Sequence, residues 1–115
     1  MFMELLERQF PLHQPTETVP FRSAQDFARA LHIHPNHLNK SLKEITGKTT
    51  TDWIAERLAR EAGALLRYSN WDISEIAFAL GFEHPSNFTL FFKKSTGESP
   101  KAFRQRQQGL SVSAG

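Results

Sequence analysis

Apolar side chains recur along this chain at the three- and four-residue spacing of an α-helix, in segments cut by Pro and Gly. Phe2, Leu5, Leu6 and Phe10 predict a short lead-in helix stopped by Pro11. The stretch from Pro11 to Arg22 contains Pro15 and Pro20 as well and reads as a loop, a strap laid over the surface. Ser23, with Asp26 three residues on, predicts a capped helix start, and Phe27, Ala28 and Leu31 are its inward face. His34-Pro35 restarts the helix, because proline at the first helical position lacks an N–H that would be unpaired there anyway. Leu38, Leu42 and Ile45 predict a buried stripe on this second helix, and Gly47 its stop.

The stretch of about 50–69 predicts one long helix. Trp53, Ile54, Leu58, Ala62, Leu65 and Leu66 lie on one side, and Glu56/Arg60 and Arg57/Glu61 make opposite-charge pairs at four-residue spacing. At 1.5 Å per residue it reaches roughly 28 Å, long enough to serve as a spacer. Asp72 and Glu75 then cap a helix whose inward face is Ile73, Ile76, Ala77 and Leu80. Gly81 supplies a turn, His84-Pro85 restarts the chain, and Phe88, Phe91 and Phe92 face the core. Ser99-Pro100 opens a closing helix to about 106, and residues 107–115 read as a flexible tail.

Two parts of this pattern are the same phrase. Phe27-Ala28-x-x-Leu31-x-Ile33 matches Ile76-Ala77-x-x-Leu80-x-Phe82 at an offset of 49. After the inserted Glu83, His34-Pro35-x-x-Leu38-x-x-x-Leu42-Lys43-x-x-Thr46-Gly47 matches His84-Pro85-x-x-Phe88-x-x-x-Phe92-Lys93-x-x-Thr96-Gly97 at an offset of 50. Each copy is a short helix, a turn and a longer helix, a helix-turn-helix. The small residue in each first helix lets the second cross closely, and Gly81 permits a left-handed turn. In the first copy His32 stands where that glycine stands, a residue type that tolerates the conformation at some cost. Each copy is about 25 residues, too small for a core of its own, so the long helix and the terminal helices must complete both. The fold class is all-α, two helix-turn-helix subdomains joined by a long linker helix, with about seven helices.

The chain has 115 residues, the size of one domain, and a net charge of only +2. Its pI of about 9.2 conceals a local basic stretch. From Lys93 to Arg106 stand Lys93, Lys94, Lys101, Arg104 and Arg106 against the single acid Glu98, a pattern that attracts polyanions. With no cysteine there are no disulfides, thiolate metal sites or cysteine nucleophiles, which fits a reducing compartment. The N-terminus lacks a signal-peptide layout and no apolar run spans a membrane, so a cytoplasmic location is expected. His32, His34 and His37 crowd together, but His34 sits as a helix cap and no carboxylate stands at a compelling spacing, so no metal is expected. No nucleophile–base pair, phosphate loop or carboxylate pair is evident, so neither an enzyme nor a cofactor is expected.

The second helices carry the candidate chemistry. With Leu38 and Leu42 inward, the first presents Asn36, Asn39, Lys40 and Lys43; amides bond adenine edges and lysine reaches guanine or phosphate. The second presents Ser86, Asn87, Thr89, Leu90, Lys93 and Lys94.

Two runs now fall in order: Asp72-Ile73-Ser74-Glu75-Ile76-Ala77-x-x-Leu80-Gly81-Phe82, then Phe88-x-x-x-Phe92-Lys93-Lys94-x-Thr96-Gly97-x-Ser99-Pro100-x-x-Phe103-Arg104. On these residues the chain, from Ser23 to Arg104, resembles the C-terminal DNA-binding domain of the AraC/XylS family of bacterial transcription regulators. The resemblance implies an AraC-type domain over 23–106, with helix-turn-helix units at about 23–47 and 72–97 and 1–22 as lead-in. It implies sequence-specific binding of double-stranded DNA, the two recognition helices entering successive major-groove segments. By position, Asn36, Asn39 and Lys40 would face bases in the first unit, and Ser86, Asn87 and Leu90 in the second. Leu90 departs from the polar residue common there, so the second unit is expected to act mainly through phosphates, at Thr89, Lys93, Lys94, Ser99 and Lys101, with Lys43 doing so in the first. An activator of this kind would also touch RNA polymerase. The chain is expected to be monomeric by itself, and either a stand-alone short regulator or, the favoured reading, part of a longer one that is dimeric through an N-terminal domain. The competing reading is a helix-turn-helix module that binds proteins and reads DNA weakly or not at all.

Overall fold

Caps and stops stand at the ends of the helices in the computed structural model, which describes residues 1–114, with side chains through Gly109. Among the described residues there are seven helices and no strand: α1 Phe2–Arg8, α2 Ala24–Ala30, α3 Pro35–Thr46, α4 Thr50–Tyr68, α5 Ile73–Ala79, α6 Pro85–Thr96 and α7 Pro100–Ala114. Three helices start with reciprocal capping boxes, Ser23 with Asp26, Thr49 with Asp52, and Asp72 with Glu75. Each box satisfies two backbone N–H groups that a helix start otherwise leaves open. α3 and α6 stop at Gly47 and Gly97, both left-handed, with φ of 82° and 88°. α7 runs on past residue 106, where the sequence predicts its end, to Ala114; Gly115, the end of the expected tail, lies outside the described residues.

The capping carboxylates carry a pH dependence. Asp26 is held below the ordinary aspartate range chiefly by the N–H of Arg22, and Asp52 by the N–H of Thr49. A carboxyl lowered in the folded state stabilises the fold above its unfolded pKa and loses that contribution as pH falls through the lowered value. The melting temperature is therefore expected to fall as pH drops below about 4. That fall should be smaller in Asp26→Asn/Asp52→Asn, measured by thermal melts across pH.

The two turns share one hydrogen-bond pattern. Ile33 N–H donates to the Ala28 carbonyl and Phe82 N–H to the Ala77 carbonyl, each at 3.0 Å. Gly81 takes a φ of 92° and His32 one of 58°, so the histidine adopts the left-handed conformation that its counterpart fills with glycine. The repeat continues beyond the copies seen in sequence. Thr46 and Thr96 hydroxyls donate to the Leu42 and Phe92 carbonyls and accept from the N–H of Lys48 and Glu98. The pairs that follow are charge-swapped: Lys48 bonds Glu56 and lies over Trp53, whereas Glu98 bonds Arg106, which lies over Phe103.

α4 is the common core element. Its Ile54, Leu58, Ala62, Leu65 and Leu66 are buried, and α2, α3, α5, α6 and α7 all pack on it. Phe27 in the first unit and Phe88 and Phe92 in the second are fully buried beside it, and Phe92 meets Phe103 edge-on at 5.3 Å. Leu38 is buried and Leu42 half-buried as the stripe requires, but Ile45 is 82% exposed. It lies in the last turn of α3, and its counterpart in the second unit is Ser95, also exposed, so this register position faces solvent in both units.

Of the two expected charge pairs on α4, Arg57–Glu61 forms, at 3.3 Å, and Glu56–Arg60 does not. Glu56 turns to Lys48, and Arg60 reaches Glu7, the carboxylate that α1 brings to α4. Arg57 also holds Glu7 at 3.1 Å with its guanidinium 4.1 Å from the Phe10 ring. The buried Glu61 takes the Leu12 N–H at 2.9 Å, which pins the strap to α4. Buried charge is tolerated because it is both paired and hydrogen-bonded.

Candidate nucleic-acid interface

α3 and α6 each present one exposed stripe, and the two stripes coincide at the offset of fifty. Asn36, His37, Lys40, Lys43 and Glu44 are exposed on α3; Ser86, Asn87, Leu90, Lys93 and Lys94 are exposed on α6. A spacing of one, four, seven and eight residues keeps these on one side of a helix. Five of the six expected base-facing residues, Asn36, Lys40, Ser86, Asn87 and Leu90, lie on this stripe.

Asn39 does not. It is half-buried, and its Oδ1 accepts the N–H of Thr50 at 2.9 Å. Thr50 is fully buried at the first position of α4, so no water can take the place of that bond. The second unit explains the difference. The counterpart of Asn39 is the half-buried Thr89, and that of Thr50 is Pro100, which has no N–H to satisfy. Asn39 is thus a brace between α3 and α4. Asn39→Ala is expected to lower stability by about 1 kcal/mol in urea unfolding and leave the order of preference among DNA duplexes unchanged.

His37, the counterpart of Asn87, lies on the exposed stripe where the sequence predicts Asn39. The offset of fifty is the signal that could have found it. Imidazole offers a donor and an acceptor to a base edge or a phosphate.

The basic surface is smaller than the sequence implies. Arg104 donates to the carbonyls of Leu66 at 3.0 Å, Trp71 at 2.6 Å, and Leu65 and Ser69 at 3.3 Å. Arg106 bonds Glu98 at 2.8 Å; that contact holds the Glu98 carboxyl below its usual range and raises the Arg106 guanidinium. Lys93, Lys94 and Lys101 remain exposed and outside any ion pair among the described residues. Ser99 is half-buried, its hydroxyl oxygen accepting the Ala102 N–H at 3.1 Å as the cap of α7. Thr89 is likewise half-buried.

The helix starts differ too. His34 Nδ1 accepts the Asn36 N–H at 3.1 Å, whereas His84 makes no side-chain cap and its carbonyl takes the Asn87 N–H at 3.0 Å. Among the described residues no three His, Asp or Glu side chains cluster as metal ligands, and no helix is long and apolar enough to cross a membrane.

The same arrangement occurs in known proteins. Residues 27–106 match the family described as "Helix-turn-helix domain". The chain is 37% identical over 73 residues to the uncharacterized HTH-type transcriptional regulator YobQ of Bacillus subtilis, covering 64% of this chain and 30% of that protein. It is 30% identical over 105 residues to the bifunctional transcriptional activator/DNA repair enzyme AdaA of the same organism, covering 91% of this chain and 46% of AdaA. It therefore spans less than half the length of these relatives. Among solved structures, the DNA-binding domain of AdpA, a global transcriptional factor crystallised with a target DNA, aligns with a TM-score of 0.73 at 20% identity, over 94% of this chain and 93% of that one. The chain belongs to the AraC/XylS type of helix-turn-helix family, with the family's two units in α2–α3 and α5–α6.

Proposed function

We propose that the chain is the sequence-specific double-stranded DNA-binding part of a transcription regulator and works in the cytoplasm without catalysing a reaction. The observation that carries this reading is the pair of equivalent exposed stripes on α3 and α6, hung on one shared helix. Both lie on the second helix of a helix-turn-helix, the element that enters a major groove. The DNA complex of AdpA and the names of the relatives support it.

The stripes are unequal. Asn36 and His37 have the polar counterparts Ser86 and Asn87, but where Lys40 can reach a base edge its counterpart Leu90 can touch only a thymine methyl. The first unit accordingly carries the larger share of the sequence choice. The second holds the backbone through Lys93 and Lys94, and Ser99 and Lys101 lie at the start of α7. An activator would add RNA polymerase as a partner, and a longer chain would add a dimerising domain.

Selection from a random duplex library tests this. Wild-type chain is expected to enrich one motif, and Lys40→Ala to relax it at one or two positions. Absence of any enriched motif would favour the protein-interaction reading.

A further inference from the structure

The two units are joined twice, once by α4 and once by the strap. The first unit fixes one end of the strap: the N–H groups of Arg22 and Ser23 both donate to Asp26 Oδ2 at 3.1 Å, inside the cap of α2. The side chain of Arg22 then leaves the first unit and lies on the turn of the second. Its guanidinium carbon is 4.2 Å from the centre of the Phe82 ring, and its Cδ would be 2.5 Å from a Cβ at Gly81. Three residues earlier, Val19 is buried and donates its N–H to the Ala79 carbonyl at the end of α5, at 3.0 Å. Arg22 also borders an open cleft of about 220 Å³ between the units, with Ile54 and Leu58 of α4 on one side and Phe82 and Phe91 on the other.

We infer that Arg22, stacked on Phe82 and seated against Gly81, is a positioning residue that fixes the second helix-turn-helix against the first. It thereby sets the spacing between the two DNA segments the protein accepts. The inference rests on the DNA-binding reading. Both units pack on α4, and the tie at the turn adds a direct contact between them that resists their turning relative to one another about that helix. One inserted base pair rotates the two contacted segments by about a tenth of a turn, so a rigid pair of units rejects it. A pair free to rotate accepts it. Gly81 has two roles here: it takes a positive φ, and it leaves room for the arginine stem.

The test uses the full chain, the duplex it selects, and versions of that duplex with one base pair inserted or removed between the two contacted segments. Wild type is expected to prefer its own spacing by about tenfold or more, the scale of a poorly matched site. Arg22→Ala should bring the three duplexes to within a few-fold of one another, with the salt dependence of binding unchanged. Arg22→Lys keeps the charge but not the planar stack, and should fall between the two. Circular dichroism checks that both variants are folded. Unchanged spacing preference in Arg22→Ala would overturn the inference and leave the DNA-binding reading standing. An equal loss on all duplexes, with a salt slope shallower by about one, would make Arg22 a phosphate contact and also overturn it. If wild type selects no duplex at all, the DNA-binding reading itself fails.

Discussion

Arg104→Ala is expected to destabilise the fold by about 2–4 kcal/mol, because it removes charge-assisted hydrogen bonds to several carbonyls at once. The guanidinium donates to Leu65 and Leu66 near the end of α4, and to Ser69 and Trp71 in the link to α5. The Leu65 carbonyl also accepts the Ser69 N–H and hydroxyl, but the Leu66 carbonyl lies in the last turn, where a helix supplies no partner, and Leu66 is buried, so water replaces the lost donor poorly. The same contact ties α7 to the point where the second unit begins. Arg104→Lys supplies one cluster of donors in place of a planar fork and should recover only part of the loss. Urea unfolding followed by circular dichroism measures both. A loss below about 0.5 kcal/mol in the alanine variant, the scale of an ordinary surface substitution, would contradict the role given to Arg104.

Replacing Lys43, Lys93 and Lys94 together with Gln is expected to weaken binding to every duplex by on the order of a hundredfold or more at physiological salt, because the proposed function gives each of the three a phosphate contact. The slope of log affinity against log salt should become shallower by about 2.7, at roughly 0.9 for each lost contact on B-form DNA. The order of preference among duplexes should not change, since phosphate contacts position a protein and base contacts choose the sequence. These side chains are exposed and make no ion pair among the described residues, so melting temperature should stay near that of wild type. A variant that keeps the wild-type salt slope would show that these lysines do not meet phosphates.

Much of this fold was legible because local chemistry and global packing agree. Ser23 with Asp26, Asp72 with Glu75, and the glycines at 47, 81 and 97 mark helix ends by mechanisms confined to a few residues, and each stands where the sequence puts it. His32 was readable as a strained turn only because the repeat set it beside Gly81.

What could not be read depends on distant neighbours. Asn39 looks like a reading residue on a helical projection; only the approach of the start of α4 makes it a brace. Arg104 and Arg106 look like a basic face, but one is turned onto carbonyls 33 to 39 residues away and the other onto Glu98. Ile45 fits the apolar period of α3 and still faces water. Arg22 carried no local signal at all, since its partners lie some sixty residues on. Repetition would have repaired one of these readings: His37 is the counterpart of Asn87, as Thr89 is of Asn39.

Hydroxyl-radical footprinting of the 115-residue chain on its selected duplex shows whether one chain carries two unequal DNA-reading heads at a fixed separation. Two protected segments are expected on one face of the DNA, about one helical turn or 10 base pairs apart. Mutating bases in the segment under α3 should abolish binding, and mutating those under α6 should cost much less. A single protected segment, or two segments equally sensitive to base changes, would contradict that arrangement.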